Sequence, residues 1–277
     1  MGETFFGADR EVSDASIDLQ ASRSEAESKR FGIPVYRLTL SHSASLTSDL
    51  RRALVAIPNS ALLLLNLVDC DIDGIQDIEQ EFGRPMVICT PSVDWEWTGQ
   101  HHQTSAWEVS TSHALEHLEN SMALAQIPCL VEASFFDYRN HHWEDALLRP
   151  HLDLGVSYAE WAVNELMAGG ADAYVLRLDS EAGCFLVDQG MPGGGRRILL
   201  AATLPSFRNR GCYTEMLKKY LLAKFVEGHG RVRITTQVSN VRVQRRWASL
   251  GFRPESLIRH VHIWPVGIDS STTPRIA

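Results

Sequence analysis

The chain has 277 residues, of which 44% are hydrophobic and 22% are charged, and its formal net charge is −8. This composition is typical of a globular protein and excludes a fibrous or broadly disordered one. Nucleic acid is a poor candidate partner, because Lys and Arg occur in short pairs whereas a phosphate backbone is normally met by a concentrated basic face. The apolar run at residues 61–65 is far shorter than the about 20 residues of a membrane span, so no membrane partner is expected.

Five cysteines form an odd and widely spaced set without a CxxC pair. This pattern favours buried thiols in a reducing compartment over a disulfide framework or a metal site. The N-terminus lacks the apolar segment of a secretory signal, so we expect a cytoplasmic protein. From the cysteine pattern we expect no metal cofactor. The sequence leaves a homodimer open.

The first half of the chain predicts an alternating α/β module at residues 29–112, after a flexible leader at residues 1–28 that lacks hydrophobic periodicity. The predicted elements of this module are strands at 33–40, 61–68 and 85–90 and helices at 46–56 and 74–82. Residues 94–113 are rich in Ser, Thr, His and Gly, which predicts a connection between two domains.

The second half predicts another module at residues 113–277. Its predicted elements are apolar segments within 120–137, helices at 157–167, 213–226 and 240–250, and strands at 173–178, 183–187, 197–203, 231–238 and 256–264. Polar and Gly-rich turns join the first three strands, which predicts an antiparallel meander.

The loop after this meander carries Arg208, Asn209, Arg210 and Gly211 directly before a predicted helix. A helix N-terminus offers about four unpaired backbone N–H groups and a partial positive charge, which together favour a phosphate. Gly211 allows close approach of the backbone, and Arg208 and Arg210 add charge. The loop therefore predicts a phosphate site, and the alternative is that its arginines are only solvated cations.

The order strand, loop, helix, strand, helix resembles the GCN5-related N-acetyltransferase (GNAT) superfamily. Its acyl-CoA signature, Val-x-Pro-x-Tyr-Arg-Gly-x-Gly-x-Gly-x-x-Leu, aligns with residues 203–216. The Arg-x-x-Gly core is present at Arg208 and Gly211, whereas Tyr213 occupies the second glycine position.

Within this superfamily the chain is most similar to nucleotide-sugar amine acetyltransferases of the dTDP-fucosamine type. Three segments carry this likeness: Thr236-Gln237-Val238-Ser239-Asn240, Ser134-Phe135-Phe136-Asp137 and Tyr158-Ala159-Glu160-Trp161-Ala162. The resemblance implies an α/β (α+β) fold of two GNAT-like modules, with a mixed central sheet flanked by helices. It also implies that the N-terminal module is a truncated copy without a phosphate loop.

The resemblance implies an enzyme that moves an acetyl or other short acyl group from acyl-CoA to a primary amine, with a nucleotide-activated amino sugar as the favoured acceptor. The alternatives are the amine of an amino acid, a peptide or a carrier-bound metabolite, or a non-catalytic acyl-CoA-binding module. The residues that it implies for contact with acetyl-CoA are Leu200, Ala202, Thr203, Leu204, Arg208, Asn209, Arg210, Gly211, Cys212, Tyr213, Thr214, Asn240 and Trp247.

Members of the superfamily often carry a proton-donating Tyr seven residues after the Asn, where this chain has Trp247. Because an indole N–H does not titrate usefully, three interpretations are open. The thiolate leaves unassisted, since a thiol pKa is near 8.5; Tyr213 or His262 supplies the proton; or the protein is a weak or inactive relative. The candidate bases are His262, with His260 on the same strand face, and Asp137, and the alternative is that the strand histidines are structural.

Isolated tryptophans predict either the lining of an acceptor cleft or packing at the domain junction. They are Trp95, Trp97, Trp107 and Trp143. A calcium loop at residues 69–74 and a zinc pair at His113 and His117 lack the required ligand spacing, so neither is predicted.

Overall fold

The computed structural model describes residues 21–41, 46–70, 72–99, 107–138, 145, 148 and 152–267. The first half contains β1 (Ser22–Arg23), α1 (Glu25–Phe31), β2 (Val35–Ser41), α2 (Leu46–Ala56), β3 (Leu62–Val68), α3 (Ile75–Phe82), β4 (Met86–Ile88) and β5 (Ser92–Thr98). The second half contains β6 (Ala114–Leu118), α4 (Asn120–Phe135), α5 (Leu154–Met167), β7 (Ala171–Leu178), β8 (Glu181–Gly190), β9 (Arg196–Thr203), α6 (Cys212–Val226), β10 (Arg231–Gln237), α7 (Val241–Ser249) and β11 (Arg253–Ile263).

One mixed sheet runs through both halves in the order β1-β2-β3-β11-β5-β10-β9-β8-β7-β6, with β4 also paired to β11. The pairs β2–β3 and β9–β10 are parallel, and the other pairs are antiparallel. Helices flank the sheet, which confirms the predicted mixed α/β class. The predicted meander is present as β7, β8 and β9.

Both faces of the second-half sheet are covered because its strands are apolar on both sides. Leu176 and Leu186 face one side and join the core formed with Met216 and Tyr220 of α6. Their sequence neighbours, including Phe185, face the other side and pack against α4 and α5. The first half repeats this arrangement, with α2 and α3 on the core face of β2, β3 and β11.

The predicted connection at residues 94–113 is wrong over its first part, because β5 lies between β10 and β11 and pairs with both. Its apolar positions, Trp95 and Trp97, join the buried core, while its acidic positions face arginines. Asp94 pairs with Arg197, and Glu96 pairs with arginines of β10. Composition alone does not identify this strand, because its acidic residues are typical of a loop and their arginine partners lie across the sheet. A strand from the first half is thus enclosed by strands of the second.

Three further differences concern local structure. Residues 22–28, which the sequence assigns to the leader, form β1 and the first half of α1, and β1 pairs with β2. Residues 114–118 form β6, which the sequence did not predict. The apolar segments within 120–137 form one 16-residue helix, α4. No helix of the described residues is long and apolar enough to cross a membrane.

Candidate functional site

The parallel strands β9 and β10 separate in the middle of the second module. Their pairing runs from Arg196 and Val232 to Ile198 and Ile234 and then ends, although both strands continue. The next part of β9 remains paired on its other side, where Leu200 lies opposite Val187 of β8. Backbone groups of β9 that face β10 are therefore open towards the gap, where an extended ligand can bind them.

A β-bulge marks the point of separation. The register of β8 against β9 shifts between Val187 and Asp188, so Leu199 is the additional residue of β9. Bulges bend a strand and increase its local twist. The bulge directs the end of β9 away from β10, and it places the loop after β9 at the rim of the gap.

That loop leads into α6 through two residues of positive φ, Asn209 at 66° and Gly211 at 83°. Gly211 is the N-cap of α6 and has no side chain to cap the helix. The first N–H groups of α6 therefore point towards the rim of the gap without a side-chain partner from the N-cap, which favours an anion.

Two arginines near this helix end are hydrogen-bonded to side chains of other segments. Arg208 donates to both carboxylate oxygens of Asp137, at 3.0 and 3.1 Å, and to the carbonyl of Ser134. Arg242 of α7 donates to the side-chain oxygen of Asn209. The first pair ties the loop to the end of α4, and the second ties it to α7, so both helices position the loop.

A cavity of about 810 Å³ joins the gap, the helix end and the face of the sheet below α4 and α5. Eleven of the predicted coenzyme-contact residues line it: Leu200, Ala202, Thr203, Arg208, Asn209, Gly211, Cys212, Tyr213, Thr214, Asn240 and Trp247. Leu204 instead packs against the core clusters, and the guanidinium of Arg210 lies 5.5 Å from the centre of the Phe207 ring. The contacts of all thirteen with a coenzyme stay a prediction.

The three segments that resemble nucleotide-sugar enzymes meet at this cavity. They contribute Thr236, Gln237 and Asn240, then Ser134, Phe135 and Asp137, then Tyr158 and Trp161. Distant stretches of sequence therefore line one space, which the sequence alone does not establish.

Two residues that depart from the superfamily pattern contact each other. The indole nitrogen of Trp247 donates to the phenolic oxygen of Tyr213 at 3.1 Å. Burial raises the pKa of Tyr213 well above its usual value, with a smaller opposing effect from the Trp247 hydrogen bond. The Tyr213 phenol consequently stays protonated at neutral pH and retains a hydrogen to donate.

The wall opposite the sheet is aromatic. The rings of Phe135 and Tyr158 lie 4.7 Å apart, and Tyr138 packs edge-on against Tyr158 at 6.1 Å. Burial raises the pKa of Tyr138 and of Tyr158 above their usual values, so both are neutral donors. The hydroxyl of Tyr138 donates to Gln237 across the cavity.

The floor of the cavity carries a polar chain across three adjacent strands. His260 of β11 lies 2.8 Å from Ser92 of β5 through Nε2 and 2.8 Å from Asn66 of β3 through Nδ1. Burial, with smaller electrostatic effects of His262 and Arg37, lowers the pKa of His260 to about 4. His260 is therefore neutral at pH 7.

The two predicted bases lie in different environments. His262 is buried, and its Nδ1 contacts the Asp145 carboxylate at 2.9 Å, which also accepts from the indole of Trp264. Neither His262 nor Asp145 is among the described residues that line the cavity. Asp137 does line it, but both its oxygens bind Arg208 beside the α6 N-terminus. A catalytic role for either residue stays a prediction, and His260 is the histidine of this strand face that reaches the cavity.

Trp95, Trp97 and Trp107, which the sequence offered as the lining of an acceptor cleft, are not among the described residues that line the cavity. Trp95 and Trp97 belong to the core on the α6 and α7 face, and Trp107 packs against that core. The Trp95 ring meets Trp247 at 6.3 Å. Packing is thus the role the structure gives them, and Trp143 lies outside the described residues.

None of the five cysteines forms a disulfide: Cys70, Cys89, Cys184 and Cys212 are buried, whereas Cys129 is exposed on α4. The expectation of buried thiols therefore fails at one position. The described residues contain no group of three or more His, Cys, Asp or Glu side chains that could hold a metal ion.

Sequence reasoning missed several residues that line the cavity. Arg242 and Arg246 lie on one face of α7, and Ser92 and Asn66 come from the first half of the chain. The arginine spacing of four within an acidic chain was an available signal. No local sequence pattern identifies Ser92 or Asn66 as site residues, because His260, the partner of both, is about 170 residues or more away in sequence.

No protein-family model matches this chain, and no curated protein matches it either. Several solved structures do. A tandem GNAT protein from the clavulanic acid biosynthesis pathway superposes with a TM-score of 0.55 at 14% identity over 86% of this chain and 77% of that one. GCN5-related N-acetyltransferases from Kribbella flavida and Sphaerobacter thermophilus give TM-scores of 0.52 and 0.51 at 14% and 12% identity.

The Kribbella flavida match covers 82% of this chain and 81% of that one, and the Sphaerobacter thermophilus match covers 85% and 76%. At these identities the likeness shows the fold alone. The chain has the mixed α/β fold of GNAT acetyltransferases, and the tandem protein supports its description as two modules.

Proposed function

We propose that this protein transfers an acetyl or other short acyl group from acyl-CoA to a primary amine. The observation that carries the proposal is the separation of β9 from β10 after Ile198 and Ile234, directly beside the N-terminus of α6. One end of the resulting cavity offers backbone N–H groups and arginines, and the other offers polar side chains below an aromatic wall.

The described residues fit the two chemically different parts of acetyl-CoA. Its pyrophosphate matches the free N–H groups after Gly211 and the guanidinium of Arg242, because an anion is stabilised at a helix N-terminus. Its amide-containing pantetheine arm matches the open edge of β9, which offers alternating backbone donors and acceptors. Bound acetyl-CoA supplies an activated thioester to the cavity.

The chain then has three tasks. Backbone N–H groups of β9 beyond Leu199 stabilise negative charge that develops on the carbonyl oxygen. Tyr213 holds a hydrogen beside the usual position of the thiol-protonating group, since Trp247 donates to its oxygen. The cavity holds the amine in its neutral, nucleophilic form next to the thioester.

For the acceptor we propose a nucleotide-activated amino sugar. Supporting this choice, the three segments that resemble those of nucleotide-sugar enzymes contribute residues to the same cavity. The space also combines the rings of Tyr158 and Trp161 with neutral hydrogen-bonding groups such as Gln237 and Asn66, a combination that suits sugars and bases.

The test is release of coenzyme A thiol from acetyl-CoA with a panel of dTDP- and UDP-amino sugars, amino acids and polyamines. We expect turnover that requires an amine, with the highest kcat/KM for an amino-sugar nucleotide. Turnover on amino acids or polyamines with none on any sugar would replace the proposed acceptor. Amine-independent thiol release alone would contradict transfer.

A second candidate function is acyl-CoA binding without catalysis, and the Trp247–Tyr213 hydrogen bond favours it, because the usual acid position carries a group that does not titrate. Calorimetry separates the two functions. Saturable acetyl-CoA binding together with no amine-dependent thiol release across the panel would establish the binding module and exclude the transferase.

A further inference from the structure

The polar chain on the cavity floor has the connectivity of a nucleophile, base and orienting group. The amide oxygen of Asn66 is an acceptor, so Nδ1 of His260 carries the hydrogen that lies between them. His260 is neutral, so its Nε2 is an acceptor, and the hydroxyl of Ser92 donates to it. One arrangement of hydrogens satisfies all three side chains.

The chain also lies where an amine would meet the thioester. Ser92 is the register partner of Gln237, three residues beyond the point at which β10 leaves β9. All three residues line the cavity that contains this gap. Ser92 is 2% exposed and His260 is 9% exposed, so the chain is shielded from bulk water.

The carboxylates in and beside the site are bound by arginines. Asp137 is the one carboxylate among the described lining residues, and Arg208 binds both its oxygens. The buried carboxylate of Asp94 binds Arg197. The groups that act electrostatically on His260 are His262 on its own strand and Arg37 on β2, and Arg37 itself pairs with Glu27. Tyr138 and Tyr158 face the cavity from the opposite side.

We propose that Ser92, His260 and Asn66 form a proton relay that accepts the proton of the acceptor amine, an inference that rests on the proposed acyl transfer. The amine nitrogen forms a bond to the thioester carbon, and the C–S bond breaks with its electron pair on sulfur. The amine proton moves to Oγ of Ser92 as the Ser92 proton moves to Nε2 of His260, and Asn66 holds the ring through Nδ1–H. The proton then returns through Ser92 to solvent, and the thiolate takes up a proton.

This relay gives the first half of the chain a part in the reaction. Asn66 and Ser92 lie on β3 and β5, on either side of β11, so the relay exists only when the two halves share the sheet. Ser92 and His260 touch the reacting proton, whereas Asn66 acts through His260 and is a positioning residue.

The experiment compares full-length variants in the thiol-release assay, with acetyl-CoA and the panel amine of highest turnover. We expect Ser92→Ala and His260→Gln to lower kcat by about 100-fold with an unchanged KM for acetyl-CoA. Ser92→Thr keeps a hydroxyl and should recover part of the rate. Ser112→Ala removes an exposed hydroxyl that contacts Ser110 and is not among the described residues that line the cavity, and it serves as the control.

The decisive readout is the pH profile of Asn66→Asp. A carboxylate beside Nδ1–H raises the pKa of His260, so the acidic limb of kcat/KM should move to higher pH, which a merely structural role would not produce. An unshifted profile, full activity of Ser92→Ala, or acetylated Ser92 in the mass spectrum would overturn the relay. A wild type without amine-dependent turnover would overturn the acyl transfer as well, whereas unaffected variants of an active wild type would overturn the relay alone.

Discussion

The indole of Trp247 donates its hydrogen to the phenolic oxygen of Tyr213, so two departures from the superfamily pattern form one unit in the cavity wall. Because Tyr213 accepts this bond, its own hydrogen is directed elsewhere. We expect Tyr213→Phe to lower kcat by about 100-fold while the acetyl-CoA Kd changes little, since one proton donor is lost without a loss of packing.

Steady-state kinetics and calorimetry check this prediction. Trp247→Phe is the matched variant, because it removes the indole donor and leaves the phenol in place. If Tyr213→Phe keeps the wild-type kcat, the thiolate leaves without help from this phenol.

Gly211 offers a clean test of the anion site. A Cβ built on Gly211 meets no protein atom within 4 Å, so Gly211→Ala would crowd only a ligand held against the backbone. We expect the affinity for acetyl-CoA to fall by about tenfold, which corresponds to 1.4 kcal/mol.

The control is Gly228→Ala, just beyond the other end of α6. Gly228 has a φ of 87°, close to the 83° of Gly211, and its Cβ also meets no protein atom within 4 Å. Both substitutions carry a similar backbone strain of about 1 kcal/mol, which thermal denaturation measures. Equal acetyl-CoA affinities of the two variants would contradict a phosphate site at Gly211.

The neutral state of His260 makes stability depend on pH. Burial lowers its pKa from 6.5 to about 4, so the unfolded chain binds more protons than the folded one between these values. Its contribution is complete above pH 6.5 and is lost as pH falls towards 4, by about 3 kcal/mol. Urea unfolding of wild type and His260→Gln at pH 7 and pH 5 measures this effect.

We expect the wild type to lose more stability than His260→Gln between these two pH values. Carboxylates titrate in both proteins and largely cancel from the comparison. Parallel curves would show that His260 binds its proton equally in the folded and unfolded states.

Asp94 joins β5 to the second module through Arg197 and Thr235. Removal of this buried carboxylate leaves the Arg197 guanidinium without its carboxylate partner, so Asp94→Ala should lower the free energy of unfolding by about 2 kcal/mol. Asp137→Ala breaks a comparable pair with Arg208 at the surface, where both side chains are more than a third exposed, and should cost under about 1 kcal/mol. Equal losses would contradict a special role for the buried pair.

Cysteine reactivity follows burial. Burial raises the pKa of Cys184 to about 12, so its thiolate is scarce at neutral pH. We expect one of the five thiols, Cys129, to react rapidly with a thiol reagent in the native protein, and the other four only in denaturant. Peptide mapping identifies the modified residue, and Cys129→Ser should abolish the rapid phase. This background must be subtracted in thiol-release assays.

Much of the fold was predictable from local pattern. Helices α2 and α6 and strands β3 and β9 lie within one residue of their predicted bounds, because their apolar residues stand out from the Gly, Pro or polar residues at their ends. Strand β5 was missed, since its alternating Asp94 and Glu96 resemble loop residues until their arginine partners are known. Strand β6 was missed because five residues with two polar side chains give too weak a signal.

The sequence by itself predicted the loop end of the candidate site. The Arg208 to Gly211 loop, the following helix and Asn240 lie within one short stretch, so the predicted phosphate site depends on local sequence. Only the tertiary structure decided the opposite end. Sheet order brings Asn66, Ser92 and His260 from separate strands into one hydrogen-bonded chain, and it places His262 away from the cavity beside Asp145. Contacts between distant segments depend on strand register and on how the two halves share a sheet, and no local pattern encodes either.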